Sequence, residues 1–140
     1  MFKYVLVPSD FSEQSQHALE IAVQMALLHE AGHVVVLHII EEMQHTEFEE
    51  FADFYNKLEQ QAMDKMASLI APYQGGKVNV HSVIVYGNRT QEILRFVTER
   101  AIDLIVMNSH KVNLEEPGRG WGTISYKVGI LAPCPVMLVK

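Results

Sequence analysis

Four short stretches of the chain are almost wholly apolar: YVLV (Tyr4 to Val7), VVVLHII (Val34 to Ile40), DLIVMNSH (Asp103 to His110) before its polar exit, and PVMLVK at the end. Strands apolar on both faces belong to parallel sheets covered by helices on both sides. The intervening segments have the period such helices need. Ala18, Ile21, Ala22, Met25 and Leu28 predict a first helix running into His29, with Ser12 placed to cap it. Phe48, Phe51, Tyr55, Leu58, Ala62, Met66 and Leu69 predict a longer second helix, ended by Pro72 and Gly75-Gly76. Ile93, Leu94, Val97 and Ala101 mark a third, and Thr123 to Leu131 a short fourth. Lys77 to Val85 alternates and then turns wholly apolar, as an edge-side strand does, and Gly87 closes it. The resulting order, β-α-β-α-β-α-β-α-β, together with right-handed crossovers, predicts an α/β fold: an open five-stranded parallel sheet with helices on both faces, as one domain over residues 1–140.

Charge narrows the partners. A net charge of −6 and the lack of any basic block argue against nucleic acid and anionic membrane, both of which demand a basic footprint. The single cysteine, Cys134, excludes an internal disulfide and suits a reducing compartment. The opening MFKYVLVPSD reaches Pro8 and Asp10 too early for a signal peptide, and no apolar run approaches membrane-spanning length. A cytoplasmic location is the expectation.

One motif invites a metal. HEAGH, His29 to His33, fits the His-Glu-x-x-His zinc pattern, which works only on one continuous helix that stacks both imidazoles on one side. Here Gly32 ends the helix and a β-branched run follows, so His33 begins a strand and cannot share a metal with His29. Zinc is not expected.

In open parallel sheets ligands bind beyond the carboxyl ends of strands, where the strand order reverses. That rule selects Pro8-Ser9-Asp10, the end of LHII, and Asn108-Ser109-His110-Lys111. Asp10 stands where such folds often place a functional carboxylate, or else caps the next helix. A phosphorelay receiver would need a second acid beside it, an acceptor aspartate after the third strand, which here ends VYGN, and a lysine after the fifth. Gly120, Gly122 and Thr123 open the fourth helix, where free N–H groups favour a phosphate; the alternative is that the glycines turn the loop and Thr123 caps the helix. Ser109, His110 and Asp10 do not form a hydrolase triad on this reading, for no nucleophile elbow surrounds the serine. No residue offers an evident base for attacking water, so no catalytic residue is assigned.

YVLVPSDFSEQSQHALEIA, VVVLHII, DLIVMNSHK and the closing GTISYKVGILAPCPVMLVK resemble the universal stress protein family over essentially the whole chain. The resemblance implies the adenine-nucleotide alpha hydrolase-like version of this fold, commonly a homodimer through the last strand, here Val136 to Lys140. Many members bind ATP through Gly, two residues, Gly, nine residues, Gly, then Ser or Thr. Asn108 and Lys111 stand at the first two glycine positions, and Gly122-Thr123 match the last pair one residue late. Glu115 and Glu116 in between would repel a triphosphate, whereas Gly120 adds a glycine and Lys111 a cation. Asp10 and Ile39 match family positions near ribose and adenine, and Ser109-His110 match the family's Ser-His. Two readings stay open: a dimer binding ATP or AMP, with a divalent cation such as Mg2+ beside ATP, that senses or regulates a stress response; and a dimeric interaction module of the same fold without nucleotide. Hydrolysis would be slow at most. In the second reading the partner surface is the acidic loop EEMQHTEFEE together with the long second helix, and large apolar side chains exposed on that helix would add weight to it.

Overall fold

Val5, Leu6 and Val7 succeed one another in β1 (Tyr4–Pro8), and all three are fully buried. Neighbouring side chains of a strand point to opposite faces, so both faces must be covered. Val5 and Val7 pack with Ala18, Leu19, Ala22 and Met66 on one side, whereas Leu6 packs with Ile93, Phe96, Val97 and Val128 on the other. The first side is supplied by α1 (Glu13–Ala26) and α2 (Ala52–Ile70), the second by α3 (Arg89–Glu99) and α4 (Ile124–Leu131). Each large side chain so buried contributes about 1.5–3 kcal/mol of transfer free energy. The structure, a computed structural model, describes residues 2–42, 51–109 and 123–140.

Strands β2 (His33–Ile40), β3 (Asn79–Tyr86), β4 (Leu104–Asn108) and β5 (Val136–Val139) complete a five-stranded sheet in the order β3-β2-β1-β4-β5. All pairs are parallel. The chain winds outward from β1 to β3, crosses back, and winds outward again through β4 and β5. The strand order therefore reverses between β1 and β4, where Val5 lies opposite Leu104. The helices leaving these two strands go to opposite faces, and a crevice opens between their starts.

The fold matches the sequence-based expectation, with β3 at one edge. Boundaries differ where tertiary contact intervenes. α1 stops at Ala26 rather than running into His29. The return to β2 brings the Gly32 backbone so close that a Cβ there would lie 2.3 Å from the Ala26 carbonyl oxygen. His29 falls in the turn and His33 begins β2, stacked on Tyr4 with ring centroids 5.2 Å apart. Ser12 caps α1, its hydroxyl accepting from the Ser15 N–H at 3.1 Å. Ala101 lies beyond α3 with φ 52°, and Phe96, which the periodic reading omitted, takes a buried place on that helix. Along α2, Tyr55, Ala62 and Met66 are buried and Leu58 and Leu69 half-buried, so the predicted stripe faces the core; Phe48 lies outside the described residues. Among the described residues no helix is long and apolar enough to cross a membrane.

Candidate functional site

At the end of β1 the Ser9 N–H donates to the Leu37 carbonyl at 2.9 Å, and the chain then turns at Phe11, whose φ is 64°. A left-handed non-glycine residue costs about 1–3 kcal/mol unless its surroundings hold it. Here three contacts do. The Phe11 N–H donates to Ser9 Oγ at 3.1 Å, its ring packs on His38 with centroids 4.2 Å apart, and Lys65 Nζ lies 5.7 Å from the ring centre. This turn sets Asp10 on an exposed rim. Partial burial pushes the Asp10 pKa up, but hydrogen bonds from the side chain and N–H of Ser12 outweigh it and hold the carboxyl below its ordinary value. Asp10 is thus an ionised acceptor held by the cap of α1.

His38, on β2, has Nδ1 2.8 Å from the Ser9 carbonyl oxygen. A carbonyl only accepts, so Nδ1 carries the proton. Burial first, then the positive charges of Arg89 and Lys65, lower the His38 pKa against the opposing pull of the Ser9 bond and Asp10. The ring is held neutral.

Asn108 ends β4, and across the crevice Thr123 occupies the N-cap position of α4. Its hydroxyl makes no capping bond; it lies 3.2 Å from the hydroxyl of the buried Ser125. At the opening of α3, Asn88 caps the helix by accepting from the Gln91 N–H at 3.1 Å, which brings Arg89 to the rim.

These elements enclose a crevice of about 280 Å³. Pro8, Ser9, Asp10, Ile39, Asn108 and Thr123, all selected from sequence, line it. So do Leu37, His38, Arg89, Ile93, Met107, Ile124 and Ser125, which sequence reasoning did not select. Ser125 stands two residues past Thr123 and was within reach of the same reasoning; Arg89 follows the strand at the far edge, and only the packing of α3 brings it here. Ser109 is not part of the lining: its hydroxyl accepts from Lys140 Nζ at 3.0 Å, beside β5. His110, Lys111, Gly120 and Gly122 lie outside the described residues. The walls are apolar and the rim polar, an arrangement that takes a flat, partly apolar ligand and orients it by hydrogen bonds.

Among the described residues no group of three His, Cys, Asp or Glu side chains stands together as a metal site. Burial, and secondarily the charge of Asp103, push the Cys134 thiol up, so its thiolate is disfavoured.

The universal stress protein family model matches residues 1–140. A universal stress protein of Methanocaldococcus jannaschii is 30% identical over 158 aligned positions, covering 100% of this chain and 96% of that protein. Its solved structure superposes with a TM-score of 0.84 at 32% identity, covering 100% of this chain and 96% of that one. A Bacillus subtilis universal stress protein is 28% identical, with 100% of both chains covered. A family protein from Arabidopsis thaliana, solved with AMP bound, shares the fold with a TM-score of 0.68 at 19% identity, over 99% of this chain and 91% of that one.

Proposed function

The chain belongs to the universal stress protein family, and from that membership we propose that it binds an adenine nucleotide in the crevice and acts as a sensor or regulator whose state is set by the bound nucleotide. The observation that carries the proposal is the crevice at the reversal of strand order, where Pro8, Ser9, Asp10, Ile39, Asn108 and Thr123 converge from three strand ends and one helix start. In this reading Leu37, Ile39, Ile93, Met107 and Ile124 enclose the base. The Asp10 carboxylate accepts from a ribose hydroxyl, and Asn108 with the Thr123 and Ser125 hydroxyls holds polar atoms at the other wall. The volume of about 280 Å³ sits at the small end of ligand pockets, roughly 300–1,000 Å³. It suits a nucleoside with its first phosphate, and further phosphates would extend toward His110, Lys111, Gly120 and Gly122. AMP or ATP fits this reading, the latter with a divalent cation such as Mg2+. The AMP found in the Arabidopsis thaliana protein accords with it.

The working unit in this proposal is a cytoplasmic homodimer of one domain, joined through β5. Support comes from the open edge of that strand and from apolar side chains left exposed beside it, Leu138 on the strand and Ile130 and Leu131 on α4. We assign it no catalytic step. For the alternative of a nucleotide-free interaction module, the predicted stripe of α2 faces the core at Tyr55, Ala62 and Met66, while Phe54 and Met63 on the same helix are exposed and would be the side chains offered to a partner.

Protein purified without added ligand is denatured and the released small molecules are identified by mass spectrometry, and the ligand-free protein is titrated with AMP and ATP. A stoichiometric adenine nucleotide, or saturable binding of either, is expected. The absence of both release and saturable binding would overturn the proposal.

A further inference from the structure

Arg89 is the one cationic side chain among the described residues lining the crevice, as Asp10 is the one anionic. It begins α3 one turn before Ile93, a residue of the crevice wall, so both lie on the same side of that helix. Its present partner holds it loosely. Arg89 Nε lies 3.7 Å from Glu41 Oε1, and the two side chains are 46% and 50% exposed. A single long contact between half-exposed charges contributes little to stability. The guanidinium carries five N–H donors in a planar fork that matches phosphate geometry, and the Glu41 contact engages one of them. Its field already reaches into the crevice, since it is among the charges that disfavour protonation of His38. The chain as a whole is acidic at −6, and Asp10 and Glu41 both stand near this rim. Without Arg89 the described rim would repel an anion.

We propose that Arg89 is the anion-recognising residue of the crevice: on binding, its guanidinium exchanges Glu41 for a phosphate oxygen of a nucleoside monophosphate, so that the crevice distinguishes the nucleotide from the uncharged nucleoside. The proposal rests on the adenine-nucleotide reading above and adds to it a residue that selects the ligand's charge. Glu41 then competes with the phosphate for the same fork.

The test compares AMP and adenosine binding, by calorimetric titration, to the full-length wild type, Arg89→Gln and Glu41→Gln. Both side chains are half-exposed, and unchanged thermal unfolding of each variant checks that the fold is kept. Arg89→Gln is expected to weaken AMP by about five- to tenfold, the effect of a charge-assisted hydrogen bond at a wet rim, while adenosine binding stays as in the wild type. Glu41→Gln is expected to tighten AMP and leave adenosine unchanged. AMP binding to Arg89→Gln at wild-type affinity, equal losses for AMP and adenosine, or no tightening by Glu41→Gln would each overturn the exchange while leaving nucleotide binding intact. A wild type that binds neither ligand would instead overturn the reading of the crevice on which the proposal rests.

Discussion

His38 has its tautomer imposed by its surroundings, and the consequence is a pH dependence of stability. Its Nδ1–H is committed to the Ser9 carbonyl and its pKa is lowered, chiefly by burial. For a base whose folded pKa is depressed, the unfolded chain takes up the proton first as pH falls, and the folded state loses stability from the ordinary imidazole pKa down to the folded one. His38→Gln keeps a donor for Ser9 but cannot titrate. Chemical denaturation followed from neutral pH downward is expected to show wild-type stability falling more steeply than that of the variant. His81, also lowered, first by burial and then by His33 and Arg100, adds a slope of the same sign, so His38→Gln removes only part of the effect. Parallel wild-type and variant curves would show that His38 stays unprotonated in both states or titrates alike in both. Asp10 acts in a lower window with a slope of the same sign: its depressed pKa contributes stability that is lost as pH falls through the folded value. Sequence position alone pointed to Asp10; the Phe11 turn that presents it, with φ 64°, was not legible because a left-handed phenylalanine is stabilised only by contacts with Ser9, His38 and Lys65.

At the scale of elements, the crevice depends on how β3 hands over to α3. Gly87 turns there with φ 144°, its N–H donating to the Ile40 carbonyl at 3.1 Å, and a Cβ would lie 2.8 Å from the Glu92 side chain. The backbone conformation disfavours any side chain here, and the Glu92 side chain would have to move to admit one. Gly87→Ala is therefore expected to destabilise the fold by about 1–3 kcal/mol, measured by denaturant unfolding, and to weaken any ligand that needs Arg89, because the start of α3 must shift. An unchanged unfolding midpoint would mean the turn relaxes without strain. Helix and strand identities were readable because their periods are carried by many residues at once: Tyr55, Ala62 and Met66 on α2 are buried as their spacing requires. Helix ends were less readable. Gly32 marked the end of α1 in the sequence. The stop at Ala26 itself follows from tightening turns, in which the Leu28 N–H donates to the Met25 carbonyl and the His29 N–H to the Ala26 carbonyl, before Gly32 passes close to Ala26.

For the whole molecule, the outer edge of β5, which no described strand pairs, is the feature with the largest consequence. Edge strands with unpaired backbone groups invite pairing with another chain. Leu138 is 39% exposed on this strand, and Ile130 and Leu131 on the neighbouring helix are 62% and 59% exposed. If the proposed homodimer forms here, Leu138→Lys introduces like charges across the two-fold axis and is expected to halve the mass found by light scattering at micromolar concentration, with thermal unfolding showing that the protomer still folds. A wild type that is itself monomeric, or a variant that remains dimeric, would remove β5 as the interface.

By itself the sequence determined the class of fold. Runs such as VVVLHII and LIVM, short, rich in β-branched residues and bounded by turn signals, fit a sheet buried on both faces. Once five strands alternate with four helices, the chirality of crossovers leaves little freedom, and the loops at the strand ends could be named in advance. Pro8, Ser9, Asp10 and Asn108 were found that way, since each ends or follows a recognisable strand; Thr123 was named as the opening of the fourth helix, and Ile39 through the family resemblance. The tertiary structure alone decided which side chains from distant elements share the crevice. Arg89, Ile93 and Met107 reach it because α3 and β4 pack where the sheet's order places them, and Ser109 is drawn aside to Lys140 at the neighbouring strand. Periodicity reports which side of an element is apolar, whereas the convergence of sides is set by long-range packing, which no single stretch of sequence contains.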